Sequence, residues 1–350
     1  MRKSLLVLTI LLALVASFIF YTFYTTGYFR EVLSKSEVGQ VYQSIDLPGV
    51  EDIAIAREDS FLLLSVDDRA SHRAGKEGPH GIYLVDLRSE QFEAVAISAE
   101  LNFPFYPHGI SVLKLDSATY GLLAINHVND RHSIESFLLK GKALQHLKTI
   151  TGPELISPND LVMVGPESFY FTNDHGYTSK WGLMAENYLA VNAASVGFFD
   201  GKKFQLVAEN LSFPNGIQVD AKRNLLYVSS SRGFSIGVYT ISPDGGLSFI
   251  EDISAGTGVD NIELDEDGML WIGCHPNLLT FAAYASGKKP ISPSEVITLS
   301  YPKEGEAAAV RSVWTDPGTQ LSGASVAVPF GNYLFIGNVM DSKVLVLKKN

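Results

Sequence analysis

Residues 215–231, NGIQVDAKRNLLYVSSS, carry the reading of the fold. Asn215 and Gly216 precede the alternating string Ile217-Gln218-Val219, which has the period of a half-buried strand. The polar run Asp220–Asn224 is a turn signal, and Leu225-Leu226-Tyr227-Val228 is a second strand. The opening string recurs along the chain as Glu51-Asp-Ile-Ala-Ile, His108-Gly-Ile-Ser-Val, Asn159-Asp-Leu-Val-Met, Asp260-Asn-Ile-Glu-Leu and, with Ala in the polar place, Ala324-Ser-Val-Ala-Val. Successive starts lie 57, 51, 56, 45 and 64 residues apart. Second strands follow in MLWIGC and YLFIGNV, and third strands in GIYLVDL, GVYTIS and KVLVLKK. Six units of about 50 residues, each of about four strands, predict an all-β, six-bladed β-propeller; the competing reading is a β-sandwich whose strands alternate by chance. Residues 41–45 are expected to close the ring by pairing into the blade that ends at residues 343–348.

Composition narrows the function classes. The 350 residues carry 27 Lys plus Arg against 38 Asp plus Glu, a formal charge of −11. Residues 1–30 hold three basic groups and no acidic one, so the remainder stands at −14, 24 basic against 38 acidic. Such a surface argues against a nucleic-acid partner. A hydrophobic content of 46% is too high for a disordered chain. The single cysteine, Cys274, permits no intrachain disulfide and no Cys-rich zinc site, and it reads as a buried structural thiol.

Ser4 to Phe29 contain no charge, and the run LLVLTILLALVASFIFYTFY matches the hydrocarbon thickness as a helix. Secretory signal peptides have a shorter apolar region. Residues 1–30 therefore read as an uncleaved signal anchor, with cleavage near Ala16 and Ser17 as the alternative. Residues 31–350 form the propeller, expected on the extracytoplasmic side (extracellular, lumenal or periplasmic), or secreted if the anchor is removed. Tyr21, Phe23, Tyr24, Tyr28 and Phe29 suit an interfacial aromatic belt.

In a propeller the innermost strands line one channel, so Glu51, His108, Asn159, Asn215, Asp260 and Ala324 face a common axis. Each alone is a plausible turn cap. Together, carboxylates and amides in one register would repel and lose hydration unless a hard cation neutralised them. Glu51, Asn159, Asn215, Asp260 and Asn261 offer only oxygen once the amides turn their carbonyls inward. That set fits calcium; zinc would want His or Cys, and magnesium a stricter octahedron. His108 sits in the same register, and His127 ends the next strand of its blade. A His pair beside a Lewis acid can activate water against an ester or lactone carbonyl. Gly233-Phe-Ser-Ile-Gly237 fits a nucleophile-elbow string but runs into a strand rather than a helix. Asn210-Leu-Ser212 is a glycosylation sequon, relevant only in a eukaryotic secretory route.

The strings Pro-His108-Gly-Ile, Asn159-Asp160-Leu-Val with Phe169–His175, Phe213-Pro-Asn215-Gly-Ile, Val259-Asp260-Asn261-Ile and Gly273-Cys274-His-Pro-Asn277 resemble, in order, those of the serum paraoxonase/arylesterase family. The similarity runs from about residue 40 to the C-terminus. The resemblance implies two calcium ions in a propeller tunnel and hydrolysis of lactones and aryl esters. It implies a catalytic calcium on Glu51, Asn159, Asn215, Asp260 and Asn261, and a structural one on Asp52, Asp160 and the backbone carbonyl of Ile110. It further implies a His108–His127 dyad, and Phe213 and His275 in the pocket wall. Mammalian members tie the chain ends with a disulfide, which this sequence lacks. The segment 176–194, with Trp181, Leu183, Met184, Tyr188 and Leu189, corresponds to a helical insertion over the channel mouth, either a lid or membrane contact or a plain amphipathic surface helix.

The function expected is a calcium-dependent hydrolase of small lactones or aryl esters, associated with a membrane through its N-terminal helix. A sugar-lactone hydrolase of the gluconolactonase type would want a polar mouth, whereas Phe103, Phe105, Tyr106 and Phe213 point to an apolar one. A non-catalytic binding propeller with structural calcium is the reading from another class.

Overall fold

A computed structural model describes residues 2–129, 131–302 and 307–349. The strands of these residues form six antiparallel sheets. The innermost strands are Val50–Ala56, Pro107–Lys114, Pro158–Met163, Pro214–Asp220, Gly258–Leu264 and Ala324–Phe330. Each lies against the next, and the sixth returns to the first, which closes a ring. The chain is a six-bladed β-propeller. Strand Gln40–Ile45 pairs with Val344–Lys348 as the outermost strand of the last blade, from Gln40 opposite Lys348 to Ile45 opposite Val344. Strand Lys35–Ser36 adds a fifth strand to the blade before it.

The core is six wedges, each shared by two neighbouring blades. Leu62 and Leu64 of one strand face the wedge shared with the last blade, whereas Leu63 between them faces the wedge shared with the second. Side chains alternate across a strand, and here both faces are buried. That is why the middle strands read as unbroken apolar runs.

The inner strands approach closely where their sequence has glycine. A Cβ at Gly109 would stand 2.5 Å from Asp160 Cα, and one at Gly216 would stand 2.6 Å from Asn261 Cα. These two glycines draw the second, third, fourth and fifth inner strands onto one narrow axis.

Arg2–Thr25 form a 24-residue helix with mean hydropathy 2.5 over its apolar window, long and apolar enough to cross a bilayer. Its C-terminal end docks on the propeller. Leu278 N donates to Thr26 O (3.0 Å), Asn277 Nδ2 to Tyr28 O (3.2 Å), and Arg30 forks onto Glu295 at 2.7 and 2.6 Å.

Candidate metal and active site

Every inner strand breaks its ladder near its start. Register shifts fall between Val50 and Asp52, Pro107 and Ile110, Pro158 and Leu161, Pro214 and Ile217, Val259 and Ile262, and Ala324 and Val326. In five blades the residues inside these bulges include the ones the repeat pattern singled out, namely Glu51, His108, Asn159 with Asp160, Asn215, and Asp260 with Asn261; in the sixth the bulge holds Ser325, while Ala324 stays paired opposite Asn338. A bulge re-aims side chains that a regular ladder would hold on the sheet faces. The repeat therefore writes a six-fold interruption into the axis of the fold.

Glu51, Asn159, Asn215, Asp260 and Asn261 are each between 1% and 6% exposed. One oxygen of each, namely Glu51 Oε2, Asn159 Oδ1, Asn215 Oδ1, Asp260 Oδ1 and Asn261 Oδ1, is buried with no hydrogen-bond partner among the described residues. Two of the amides have their donors occupied. Asn159 Nδ2 donates to Asp174 Oδ2 (3.2 Å), and Asn261 Nδ2 donates to Glu51 O (3.0 Å) and Oε1 (2.9 Å). Buried polar atoms are ordinarily satisfied. Five orphaned oxygens from four blades, all hard donors, fit a calcium-type cation. Among the described residues no three His, Cys, Asp or Glu side chains are grouped to hold a metal; three of these five donors are Asn amides. Burial pushes the Asp260 carboxyl up, with His275 opposing and Glu51 adding to the shift. Burial also pushes Glu51 up, but the His108 ring, with Arg69 and Asn261, outweighs it and holds that carboxyl below its usual range.

Asp52 and Asp160, the residues after Glu51 and Asn159 on their inner strands, are close enough to repel each other. Burial drives both carboxyls well above the usual range, with Glu51 acting next on Asp52 and Asp52 next on Asp160. Their oxygens already accept backbone bonds: Asp52 from Ile53 N (2.8 Å) and Ile110 N (2.7 Å), Asp160 from Leu161 N (2.7 Å) and Ile217 N (2.8 Å). Ile110 thus meets Asp52 through its N–H. Asp52 ties the first inner strand to the second and Asp160 the third to the fourth, and their donor chemistry is less exclusively metal-directed than that of the five orphaned oxygens.

His108 Nε2 is 3.5 Å from Glu51 Oε2, and its Nδ1 is 2.9 Å from His127 Nε2. Burial, followed by the charges of His108, His132 and Arg69, holds His127 well below the usual imidazole range. His275 is 2% exposed, with Nε2 2.7 Å from Asp260 Oδ2. Its ring stacks on Phe281 at 3.6 Å between centroids and 11° between planes.

A cavity of about 330 Å³ opens onto this cluster and is lined by Glu51, His108, Asn159, Asn215, Asp260 and His275, and by Phe213 and Phe281. That size suits a small organic ligand. Phe213 adopts φ 52°, a left-handed backbone rare for a bulky side chain, and packs edge-on to His175 at 4.9 Å. The expected apolar mouth needs correction at three residues. Phe105 packs on Phe137, Phe103 on Phe105 and His146, and Tyr106 on His72 and His80. None of the three lines the cavity; Phe213, Phe281, Leu278, Leu279 and Tyr188 do. Leu278, Leu279 and Phe281 belong to helix Leu278–Ala285, whose apolar composition carried no repeat signal. Arg69, Arg232 and Thr26 also line the cavity without having been foreseen. Helix Lys180–Leu189 falls within the segment 176–194, and its Tyr188 and Asn187 reach the cavity.

The remaining candidates lie elsewhere. Ser235 opens a strand paired on both sides, so Gly233–Gly237 is no elbow. Cys274 is fully buried. Asn210 is exposed near the end of an outer strand.

Comparison with known proteins bears on what this arrangement does. The profile of the family described as Arylesterase matches residues 69–346. Serum paraoxonase/arylesterase 2 of Rattus norvegicus is 30% identical over 328 residues, covering 89% of this chain and 92% of that one. Serum paraoxonase/arylesterase 1 of Homo sapiens is 35% identical over 268 residues, 75% of each chain. Among solved structures, the calcium-binding protein regucalcin of Agrobacterium tumefaciens superposes with a TM-score of 0.51 at 15% identity, over 89% of this chain and 93% of that one, a likeness of fold alone.

Proposed function

The chain belongs to the arylesterase family, and on that premise we propose that it is a calcium-dependent hydrolase of lactones and aryl esters acting at the oxygen-lined end of its tunnel. The observation that carries the reading is the set of five buried oxygens without partners, of which Glu51, Asn159, Asn215 and Asp260, one from each of four blades, line one cavity. Glu51, Asn159, Asn215, Asp260 and Asn261 would hold the catalytic ion. Asp52, Asp160 and the Ile110 carbonyl are the proposed holders of a second, structural one. A bound calcium would supply Lewis-acid polarisation of the substrate carbonyl.

The chain's own side chains do the rest. His108 Nε2 takes the proton of the attacking water, and His127 behind it accepts the hydrogen bond of His108 Nδ1 and fixes the ring. Phe213, Phe281 and the stacked His275 clamp an apolar acyl or aryl group beside the reacting carbon. The ring-opened acid or the carboxylate product leaves through the cavity mouth.

The N-terminal helix is proposed as a retained signal anchor with the propeller on the extracytoplasmic side. Cleavage near Ala16 and Ser17 would leave Phe18, Ile19, Phe20, Tyr21 and Tyr24 at a free end, each 40–68% exposed, and water disfavours such a patch.

The test is turnover of phenyl acetate and a panel of lactones by the full-length protein in detergent, with calcium and with a chelator. Activity that is lost in chelator and restored by calcium supports the reading. Calcium-independent turnover, or calcium binding with no turnover of any member, refutes it.

A further inference from the structure

The proposed base does not end at a pair of histidines. The antiparallel hairpin of strands Tyr120–Val128 and Arg131–Lys140 sets His127 directly opposite His132. Their rings meet at 2.7 Å between the two Nδ1 atoms, with centroids 4.8 Å apart and planes at 89°. The inner strand Pro107–Lys114 brings His108 Nδ1 to 2.9 Å from His127 Nε2. Three adjacent strands of one blade thus contribute one imidazole each, in a line running outward from the tunnel. His132 is half-buried.

We infer that His132 is a positioning residue for the hydrolytic reaction, the third member of a histidine relay that fixes the proton positions of the other two and receives the charge. This rests on the reading of His108 as the base. Hydrogen-bond geometry dictates the tautomers. A basic Nε2 on His108 leaves its proton on Nδ1, which donates to His127 Nε2. His127 then carries its proton on Nδ1 and donates to His132 Nδ1, which has to be the bare nitrogen of that ring. When water gives a proton to His108 Nε2, the Nδ1 proton of His108 can pass to His127 Nε2, and the Nδ1 proton of His127 to His132 Nδ1. Hydroxide adds to the carbonyl carbon, and one positive charge rests on His132, so atoms and charge balance. His127 is a poor place for that charge, since it is buried, lies between two other imidazoles and feels Arg69. Glu51 faces His108 from the first blade, its Oε2 3.5 Å from His108 Nε2. A relay ending in the half-buried third ring avoids leaving an imidazolium stranded on His127.

The experiment is a double-mutant cycle on the full-length calcium-loaded protein in detergent, with His108→Gln, His132→Phe and both changes together, assayed on phenyl acetate across pH. His132→Phe keeps the ring bulk and removes the nitrogens. Its kcat is expected to fall by about 10- to 100-fold with KM unchanged, less than the 10²–10⁴-fold of a direct acid–base participant. In the His108→Gln background the second change should cost nothing further. Full activity of His108→Gln overturns the base assignment itself. An impaired His108→Gln beside a fully active His132→Phe, or additive losses, overturns the relay alone. If His132→Phe fails to fold, ¹⁵N chemical shifts of the wild-type rings decide. Protonated Nδ1 on both His108 and His127 supports the relay, and protonated Nε2 on His127 contradicts it.

Discussion

Replacing Asn215 by Leu should change stability in opposite directions with and without calcium. The two side chains have nearly the same shape, and Asn215 is 6% exposed with Oδ1 buried and unpartnered. An unsatisfied buried acceptor costs about 1–3 kcal/mol, and an apolar group of the same shape removes that cost. In chelator, then, Asn215→Leu should stabilise the protein by ~1–3 kcal/mol, a rise in Tm of roughly 1.5–4 °C for a chain of this size. In calcium the variant has lost a ligand. A hundredfold loss of affinity corresponds to ~2.7 kcal/mol, and that much of the ion's contribution to the folded state disappears. The assay is thermal unfolding of the full-length protein in detergent, in excess calcium and in chelator, with calcium affinity from titration calorimetry. The wild-type gap between the two conditions should narrow from both ends. Equal destabilisation in both conditions would mean that Asn215 is an ordinary buried polar residue, and the cation argument would fail at that position.

His108→Gln should lower kcat on phenyl acetate by about 10²–10⁴-fold while calorimetry finds calcium affinity unchanged, because the ring lies beside the oxygen set without supplying one of its five atoms. Gly216→Ala places a Cβ 2.6 Å from Asn261 Cα; overpacking of this kind costs about 1–3 kcal/mol, and the displaced Asn261 should weaken calcium binding in the same titration. Phe281→Ala removes the ring stacked on His275 and opens the cavity wall, so KM for aryl esters should rise several-fold with calcium affinity retained. The carboxyls of Asp52, Asp160 and Asp260 are raised in the folded chain, so without metal their contribution to stability is full below the unfolded value near 3.9 and is lost as pH rises through the folded values. Raising pH above about 4 should therefore lower Tm more in chelator than in calcium, and calcium uptake should release protons, measurable by calorimetry in buffers of differing ionisation enthalpy; a Tm that falls equally in both would contradict this.

The ring of blades was legible because one short string repeats. Polar residues at 51, 108, 159, 215 and 260 stand before strand alternations, and only an axial arrangement gives them a common place. The closing pair, residues 40–45 with 344–348, followed from the need to seal the last blade. The bulges were invisible, since a register shift is a relation between two strands and neither strand's sequence shows it. Phe103, Phe105 and Tyr106 misled because aromatic residues near His108 in the chain look like neighbours of the site; they turn back into side packing of the first two blades, while the wall comes from Phe281, far along the chain. His132 escaped notice because its partner is chosen by the hairpin register, which pairs it with His127. Arg232 and Thr26 were unforeseeable for a related reason: Arg232 Nη1 holds Thr25 O at 3.2 Å, a contact between the N-terminal helix and the fourth blade.

The claim beneath all of this is that one cation sits among five particular oxygens. A crystal structure grown in calcium, with an anomalous difference map, measures it directly. The account predicts a strong peak with Glu51 Oε2, Asn159 Oδ1, Asn215 Oδ1, Asp260 Oδ1 and Asn261 Oδ1 all at about 2.3–2.6 Å, separate from the second ion proposed at Asp52 and Asp160. A map without a peak there, or with these amides turned so that their nitrogens face the axis, would contradict it.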